Sequence, residues 1–324
     1  MRRPTHVRAL RLVLAGAVLA VVAACAASPD GVVPSATPSP TATAGAAPAP
    51  ATAECDDPTT SYAPDAGLTV AAGSTMARIK ERGSLVVGVS SDTLLMGARD
   101  PIGGSIEGFD IDLLREVSRA LFGTPDRLQF RVITSAQRID VLKAGEVDLV
   151  ARAFTMNCDR WTQIAFSAEY LHAGQKVLVT RDSEATGMAD LDGKRVCAPA
   201  GTTTLERLTQ YTGVEAVPAD THTGCLVLFQ QGKVDAITGD DTILAGFAAQ
   251  DPYAKVVGDA ISDEPYGIGV NAQQVDLVRY VNAVLDQAKD DGTWATLYAK
   301  WLGALGPAPT PPVSVYGRVP GTGA

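Results

Sequence analysis

The chain has 324 residues, of which 46% are hydrophobic, and a formal net charge of −9 at pH 7. This acidic balance argues against a protein that binds nucleic acid through a broad basic surface. The length leaves room for two lobes of ordinary domain size once the atypical termini are set aside.

Residues 1–24 have the composition of an export signal. An apolar run, too short for a comfortable membrane span, follows four arginines: Arg2, Arg3, Arg8 and Arg11. The run ends in VAAC, a lipobox-like sequence that makes Cys25 the candidate lipidation site. We therefore expect a signal peptide at 1–24 and a lipid anchor on the extracytoplasmic face of the cell membrane. An ordinary export signal with an incidental cysteine is the alternative.

The segments next to both termini are poor in core-forming residues. Residues 26–53 consist largely of Ala, Pro, Ser and Thr with one charge, Asp30, which predicts a disordered tether at 25–54. The Pro- and Gly-rich residues 307–324 predict a second disordered tail. Without the four arginines of residues 1–24, 23 basic and 36 acidic residues remain, a net charge of −13. An anionic ligand must therefore be attracted by local charge, not by the overall field.

Between these segments, strand patterns alternate with helix patterns. The predicted strands are, in chain order, 84–89, 128–133, 146–154, 176–180, 193–201, 232–239 and 266–270. The predicted helices lie at 108–123, around 139–144, from 202, from 242, and in a closing pair before 306. In the first helix, Asp110 is the expected N-cap and Gly123 the expected end. The alternation predicts an α/β fold with open, mostly parallel sheets, formed twice.

A short motif, G-x-V-D, occurs at 145–148 and again at 232–235, each time leading into a buried strand. The first strand is followed by Thr155 and Arg160, and the second by Asp240. Ligands of such sheets bind outside the carboxyl ends of strands. We therefore expect Arg160 and Asp240 to face one another through something bound between them.

Four cysteines remain after Cys25: Cys55, Cys158, Cys197 and Cys225. An even count in an exported chain suggests disulfides, with three possible connectivities. We favour Cys197–Cys225, because both cysteines lie in the second half, and Cys55–Cys158, which would attach the tether to the first lobe. A zinc site is the rival, but the chain has no CxxC motif and few histidines.

Five stretches, GFDIDLLREV, ARAFTMNCDR, DLDGKRVCAPAGTTT, GKVDAITGDD and YGIGV, occur in this order. Because of these stretches and their order, the chain resembles the polar amino-acid solute-binding proteins of ABC importers (bacterial extracellular solute-binding family 3) over roughly residues 76–302. TSAQRIDVL and LAGFAAQDP resemble the glutamate/aspartate and actinobacterial glutamate/glutamine types. The resemblance implies a type II periplasmic-binding-protein fold, with lobe 1 at 55–178 plus 263–306, lobe 2 at 179–262, and two crossover strands between them. It also implies an ABC permease as the partner, and we expect a monomer without cofactor, metal or enzymatic activity.

The resemblance implies ligand contacts for eight residues. The α-carboxylate is held by Arg160, Thr155, Thr202 and the backbone near Ala153, the α-ammonium by Asp240, and the ligand side chain by Arg138, Ser135 and His222. The chain departs from the family pattern at Ser90 and Pro199, which bears on side-chain specificity.

Physical chemistry supports these roles. An arginine can bind a carboxylate through two parallel hydrogen bonds, and an aspartate suits an ammonium. A capping box, Thr203-x-x-Glu206, would fix the helix start beside the carboxylate. The charges of Arg160, Arg138 and Asp240 sum to +1, which the −1 of glutamate or aspartate neutralises. Glutamine would leave Arg138 without a counter-charge, at a cost of roughly several kcal/mol.

Other interpretations remain. Arg160 can be a surface arginine that pairs with Asp159 or Glu169, and Arg138 can be solvated. Asp110 and Asp112 are most simply helix-capping residues. Arg152 is the rival of Arg138, but strand alternation places it opposite Ala153. Glutamine or asparagine binding and amino-acid sensing share the same chemistry. An enzyme on this fold would need an acid–base pair, and His172 and His222 belong to no catalytic motif.

Overall fold

The computed structural model describes residue 55 and residues 57–320. The expected signal peptide, Cys25 and the tether to residue 54 lie outside the described residues and stay predictions. The described residues belong to one compact unit. Among the described residues, no helix combines the length and hydropathy needed to span a bilayer.

Most of the described strands are short; a strand overlaps each of the seven predicted stretches, and the other strands were not predicted. They are β1 (Thr60–Ser61), β2 (Leu85–Val89), β3 (Asp92–Thr93), β4 (Gly97–Arg99), β5 (Ile106–Glu107), β6 (Leu128–Val132), β7 (Leu149–Val150), β8 (Ala165–Phe166), β9 (Leu171–Thr180), β10 (Arg195–Pro199), β11 (Glu215–Ala219), β12 (Ala236–Asp240), β13 (Ala254–Val257), β14 (Asp263–Tyr266), β15 (Gly269–Val270) and β16 (Val315–Tyr316).

The described α-helices alternate with these strands and pack on the sheets. They are α1 (Thr75–Arg82), α2 (Phe109–Phe122), α3 (Arg138–Lys143), α4 (Cys158–Trp161), α5 (Thr203–Leu208), α6 (His222–Gln230), α7 (Asp241–Gln250), α8 (Val275–Asp290) and α9 (Thr293–Leu302). Two short 3₁₀ helices lie at Met188–Leu191 and Gly303–Leu305.

Two main sheets organise the described residues. The first has the strand order β6-β2-β7-β15-β8, and the second has β11-β10-β12-β9-β13 with β14 paired to β9. Each sheet is mixed: β2 pairs in parallel with β6 and β7, and β10 with β11 and β12, while the remaining pairs are antiparallel. The parallel halves are those joined through helices, as the sequence alternation predicts.

The chain crosses between the two sheets twice, from β8 to β9 and from β14 back to β15. The two crossing strands are neighbours, because β14 pairs antiparallel with the first part of β9, from Leu171↔Tyr266 to Gly174↔Asp263. The two expected crossover strands are therefore present as β9 and β14.

Helix α2 shows how the sequence pattern forms the core. Its predicted apolar face, Ile111, Leu114, Val117 and Leu121, is buried against the first sheet. The helix ends at Gly123, whose φ of 79° is the left-handed conformation that glycine adopts most readily.

One strand prediction is wrong. The apolar run 146–154 forms only the two-residue strand Leu149–Val150. Ala153 has a φ of 42°, which is incompatible with an extended strand. The chain therefore leaves the sheet before Ala153 and turns into the region that holds the candidate site.

The prediction of a disordered tail from residue 307 is also wrong for residues 307–320. Val315–Tyr316 forms a strand that pairs in parallel with Thr60–Ser61. The Tyr316 hydroxyl donates to Asp286 at 2.6 Å. Backbone pairing and a partly buried polar contact hold this segment although its composition is poor in core residues.

Both favoured disulfides are present. Cys55 is bonded to Cys158 and Cys197 to Cys225, each with a Cα–Cα distance of 5.5 Å. The first closes a loop of 103 residues and the second one of 28 residues. Both restrict the unfolded chain and so favour the folded state.

Candidate functional site

Three arginines are buried between the two main sheets. Arg138 is 3% exposed, Arg152 2% and Arg160 6%. Arg138 begins α3, Arg152 follows β7, and Arg160 lies in α4. Burying a guanidinium is costly unless hydrogen bonds and opposite charges compensate, so the partners of these three side chains define the site.

The guanidinium of Arg138 binds backbone carbonyls. Its Nε donates to Ser135 O at 2.9 Å, and its Nη1 donates to Ala153 O at 3.0 Å and Arg152 O at 3.3 Å. Its Nη2 donates to Gly201 O at 2.9 Å, which lies just beyond β10 of the second sheet. Burial, and next the charges of the other two arginines, lower the pKa of Arg138 well below its usual value. Arg138 therefore links the two sheets and adds positive charge that no ion pair of its own balances among the described residues.

Arg160 lies on the first-sheet side of the same cleft. Its Nη1 donates to Thr155 O at 2.5 Å and its Nη2 to Gly201 O at 3.5 Å. Its guanidinium carbon is 5.1 Å from the Phe154 ring centroid. The alternative of pairing with Asp159 or Glu169 is not realised, since no ion pair of Arg160 occurs among the described residues.

Arg152 belongs to the cluster, contrary to the expectation from strand alternation. That expectation is wrong because the strand ends at Val150, so a period of two no longer applies. Its Nη1 donates to Ser135 Oγ at 2.5 Å, its Nε donates to Ile133 O at 2.8 Å, and its Nη2 is 3.9 Å from Asp92 Oδ1. Ser135 is thus a partner of Arg152.

His222 is the first residue of α6 and is buried beside the arginines. Burial, and next the charge of Arg152, lower the pKa of His222 to about 3. The imidazole is therefore neutral at physiological pH. Its Nδ1 is buried without a hydrogen-bond partner among the described residues.

Asp240 ends β12 on the opposite side of the cleft. Its Oδ2 accepts a short hydrogen bond from the Tyr266 hydroxyl, whereas its Oδ1 is buried without a partner in the described part of the chain. Burial, and next the charge of Glu264, raise the pKa of Asp240 to about 8. An unpaired buried carboxylate oxygen suits a cationic hydrogen-bond donor.

Thr202 lies at the start of α5, and its neighbour Thr203 approaches Thr155. The Thr202 hydroxyl caps this helix, accepting from Leu205 N at 3.1 Å, and it donates to Pro199 O at 2.6 Å. The predicted capping box with Thr203 as N-cap is therefore wrong. The Thr203 hydroxyl instead donates to Glu264 at 2.7 Å and lies 3.4 Å from Thr155 Oγ1.

Asp110 is a site residue that sequence reasoning assigned to helix capping. The N-cap of α2 is Gly108, without a side-chain cap. Asp110 Oδ2 accepts from Ala153 N at 2.8 Å, and its Oδ1 accepts from the Tyr170 hydroxyl at 2.7 Å. Burial raises the pKa of Asp110 to about 6, although both hydrogen bonds oppose the shift. Asp110 thus holds the left-handed backbone at Ala153, which Arg138 contacts from its other side.

Asp112 was also assigned to capping. It instead accepts hydrogen bonds from Lys300 Nζ and Trp301 Nε1, both at 2.7 Å, and so joins α2 to α9. Neither aspartate is explained by the helix start alone.

The two sides of the cleft are in direct contact. Thr223 Oγ1 donates to Asp92 O at 2.8 Å, and Arg138 reaches Gly201 O. The predicted ligand-binding residues line this region, and their contacts with a ligand stay a prediction. Arg138 and Thr202 already make hydrogen bonds within the protein.

Known proteins share this architecture. Residues 85–304 match the family described as bacterial extracellular solute-binding proteins, family 3. The ABC transporter glutamine-binding protein GlnH of Bacillus subtilis is 33% identical over 230 residues, which cover 70% of this chain and 84% of that protein. The glutamate-binding protein GluB of Corynebacterium glutamicum is 32% identical over 236 residues, covering 69% and 80%.

A solved structure agrees with the fold. A mutant of the arginine-binding protein ArgBP from T. maritima superimposes with a TM-score of 0.66 at 32% identity, covering 70% of this chain and 99% of that one. The type II periplasmic-binding-protein fold is thereby confirmed. The chain belongs to the bacterial extracellular solute-binding proteins of family 3, which bind solutes for ABC importers and are not enzymes.

Proposed function

We propose that the protein binds an α-amino acid in the cleft between its two main sheets and delivers it to an ABC permease. The observation that carries this proposal is that a buried arginine, Arg160, and a buried aspartate, Asp240, lie on opposite sides of the cleft, neither with an ion pair among the described residues. Burial lowers the pKa of Arg160, and the charges of Glu206, Glu264 and Asp240 oppose this shift, so Asp240 is close enough to act on the guanidinium. A zwitterion would place its carboxylate at Arg160 and its ammonium at the free Oδ1 of Asp240.

We further propose that the ligand side chain is acidic, as in glutamate or aspartate. The charge distribution supports this choice. Burial lowers the pKa of His222 most, and the charges of Arg152 and Arg138 lower it further while Asp92 opposes them, so the two arginines make the potential at that end of the cleft more positive. A side-chain carboxylate there would accept hydrogen bonds from neutral His222 and relieve the repulsion between the arginines.

The count of two arginines and one aspartate made from the sequence is incomplete, and this keeps glutamine as a second candidate. Asp92 lies 3.9 Å from Arg152 and offsets part of its charge. Asp110 adds a second buried carboxylate close to Ala153. A neutral amide side chain would therefore leave less unbalanced charge than the sequence count suggests.

Binding would require the two lobes to open and close. The lobes we propose are residues 55–178 with 263–306, and residues 179–262. The crossing strands β9 and β14 are the natural hinge, because they are paired with each other and are the links between the sheets. A zwitterion that contacts Arg160 in one lobe and Asp240 in the other would interact better with the closed state, which is the condition for shifting the population.

The place of action we propose is the outer face of the cell membrane, with Cys25 carrying the lipid. The VAAC sequence and the family description support an extracytoplasmic protein. We further propose that it acts as a monomer. Mass spectrometry of the protein from membranes would show whether residue 25 carries the lipid.

The test is calorimetric titration of residues 52–324 with glutamate, aspartate, glutamine, asparagine and arginine. We expect binding of glutamate or aspartate at least about tenfold tighter than glutamine, the factor that corresponds to about 1.4 kcal/mol. Tighter binding of glutamine would keep the amino-acid clamp and overturn the acidic preference. Absence of binding by all five would overturn the proposed function.

A further inference from the structure

Helix α4, which carries Arg160, is too short to be stable without contacts from other segments. It spans only Cys158–Trp161, a single turn. One turn costs more conformational entropy than its hydrogen bonds return, so the helix depends on contacts made from outside. The contacts that surround α4 therefore decide where the Arg160 guanidinium lies.

The segment before the family-matched residues binds α4 at both ends. Cys55 is disulfide-bonded to Cys158, the first residue of the helix. The indole N–H of Trp161, the last residue, donates to Pro58 O at 2.7 Å. The Tyr62 ring packs edge-on against Trp161, with ring centroids 6.1 Å apart.

The segment after the family-matched residues covers the same tryptophan. The Arg318 guanidinium carbon lies 3.7 Å from the ring centroid of Trp161, within the range of a cation–π contact. Its Nε donates to Thr60 O at 3.1 Å, so Arg318 joins the two terminal segments. Its backbone N–H donates to Ser61 O at 3.1 Å.

Helix α8 fixes both segments. Asp286 accepts from Ser314 Oγ and from the Tyr316 hydroxyl, each at 2.6 Å. Asn282 donates to Ser61 Oγ at 3.0 Å and to Tyr62 O at 2.7 Å. The segments thus have a rigid support that is separate from the cleft.

We call Cys55, residues 57–62 and residues 314–318 the terminal clasp. Its members lie before residue 85 or after residue 304 and so outside the family-matched range. We infer that the terminal clasp holds α4 so that Arg160 is oriented for the ligand carboxylate, with Arg318 and Trp161 as positioning residues. This inference rests on the proposed function, since it assigns Arg160 to ligand binding.

The test compares ligand affinity with stability in three variants. Arg318→Met removes the cation and the hydrogen bond to Thr60 but keeps an apolar stem, and Arg318→Lys keeps a cation above Trp161. The matched control is Arg279→Met, which removes an arginine of α8 that is bonded to Asp65 at 3.0 Å. Titrations with L-glutamate and L-glutamine give dissociation constants at 25 °C, and thermal unfolding gives the midpoints.

We expect Arg318→Met to raise the dissociation constant about three- to tenfold, Arg318→Lys to stay within about twofold, and Arg279→Met to leave it unchanged. A purely structural role would lower the midpoint of Arg318→Met while its dissociation constant matches that of the unaltered protein, and this result would overturn the inference.

Trp161→Phe provides a second variant if Arg318→Met fails to fold. It keeps an aromatic ring under Arg318 but loses the hydrogen bond to Pro58, and we expect weaker binding of about two- to fivefold. Unchanged affinity would count against the inference. Absence of binding by the unaltered protein would overturn the proposed function itself, and the inference with it.

Discussion

One oxygen of the Asp240 carboxylate accepts a hydrogen bond from the Tyr266 hydroxyl. The other oxygen, Oδ1, is buried without a partner among the described residues. The pKa of about 8 means that the carboxyl is largely protonated at pH 7 in this arrangement. An ammonium group at Oδ1 would favour the ionised form, so binding a zwitterion would release a proton.

The first prediction concerns pH. Because the pKa of Asp240 is raised to about 8, the ionised form that an ammonium needs becomes scarcer as the pH falls. We expect the affinity for the amino acid to decrease by up to about tenfold per pH unit between pH 8 and pH 6. Titrations at pH 6, 7 and 8, in buffers of different ionisation enthalpy, give both the affinity and the proton release.

The control for this prediction is Asp235, an exposed aspartate of the same lobe that pairs with Arg195. Asp235→Asn should keep the pH dependence of the unaltered protein. An affinity that stays constant from pH 6 to pH 8 without proton release would contradict the assigned role of Asp240.

Asp110 illustrates what could not be predicted at the scale of residues. Arg160 and Asp240 were found because each follows a buried strand, which is a local signal. Asp110 binds Ala153 and Tyr170, which are 43 and 60 residues away. An aspartate near the start of a helix is explained equally well by helix capping. Only the three-dimensional contacts show that Asp110 instead binds the backbone at Ala153 and the Tyr170 hydroxyl.

At the scale of elements, contacts between lobes depend on small residues at the cleft rim. Gly246 lies inside α7, and a Cβ built there would be 2.6 Å from Leu94 O. Leu94 belongs to the connection between β3 and β4 on the first-sheet side. The glycine therefore permits the backbones of the two sides to approach.

The second prediction follows from this contact. Gly246→Ala should raise helix propensity by about 1 kcal/mol, yet hinder closure because the new methyl meets a backbone carbonyl. We expect an unfolding midpoint equal to or above that of the unaltered protein, together with about tenfold weaker amino-acid binding. Thermal unfolding and calorimetry measure the two quantities separately.

Gly224→Ala is the matched control, since this glycine lies in helix α6 and its Cβ would meet Ala219 at 3.4 Å, an ordinary contact. It should leave the affinity unchanged. Equal affinities of Gly246→Ala and the unaltered protein would show that the approach of α7 to Leu94 is not needed for binding.

The sequence predicted an element correctly where its periodicity agrees with its packing, as in α2. Prediction failed where contacts with distant segments determine the conformation. The tail at Val315–Tyr316 is ordered by Thr60 and Asp286, and no local property of the tail indicates these partners. The run 146–154 is apolar enough for a full strand, but Asp110 and Arg138 hold Ala153 in a conformation that ends it.

At the scale of the whole molecule, the two sheets are joined by β9 and β14 and meet across a cleft with charged groups on both sides. The alternation of strands and helices was sufficient to predict two sheets. It did not predict that each is mixed, because the antiparallel pairs arise where the chain crosses from one sheet to the other.

The third prediction is that the amino acid makes the molecule more compact. Closure about β9 and β14 should decrease the radius of gyration measured by solution X-ray scattering when the ligand is added. Gly246→Ala should show a smaller decrease at saturating ligand. An identical radius with and without bound ligand would argue against hinged closure while leaving the cleft as the binding site.

The most direct test of the central claim, that an amino acid bridges Arg160 and Asp240, is titration of L-glutamate into the unaltered protein, Arg160→Met and Asp240→Asn. The control is Arg195→Met, which alters an exposed arginine paired with Asp235. The account predicts a loss of about 100-fold or more in each cleft variant and no change in the control, provided that all four proteins are folded. Binding of L-glutamate to Arg160→Met or Asp240→Asn with the affinity of the unaltered protein would contradict it.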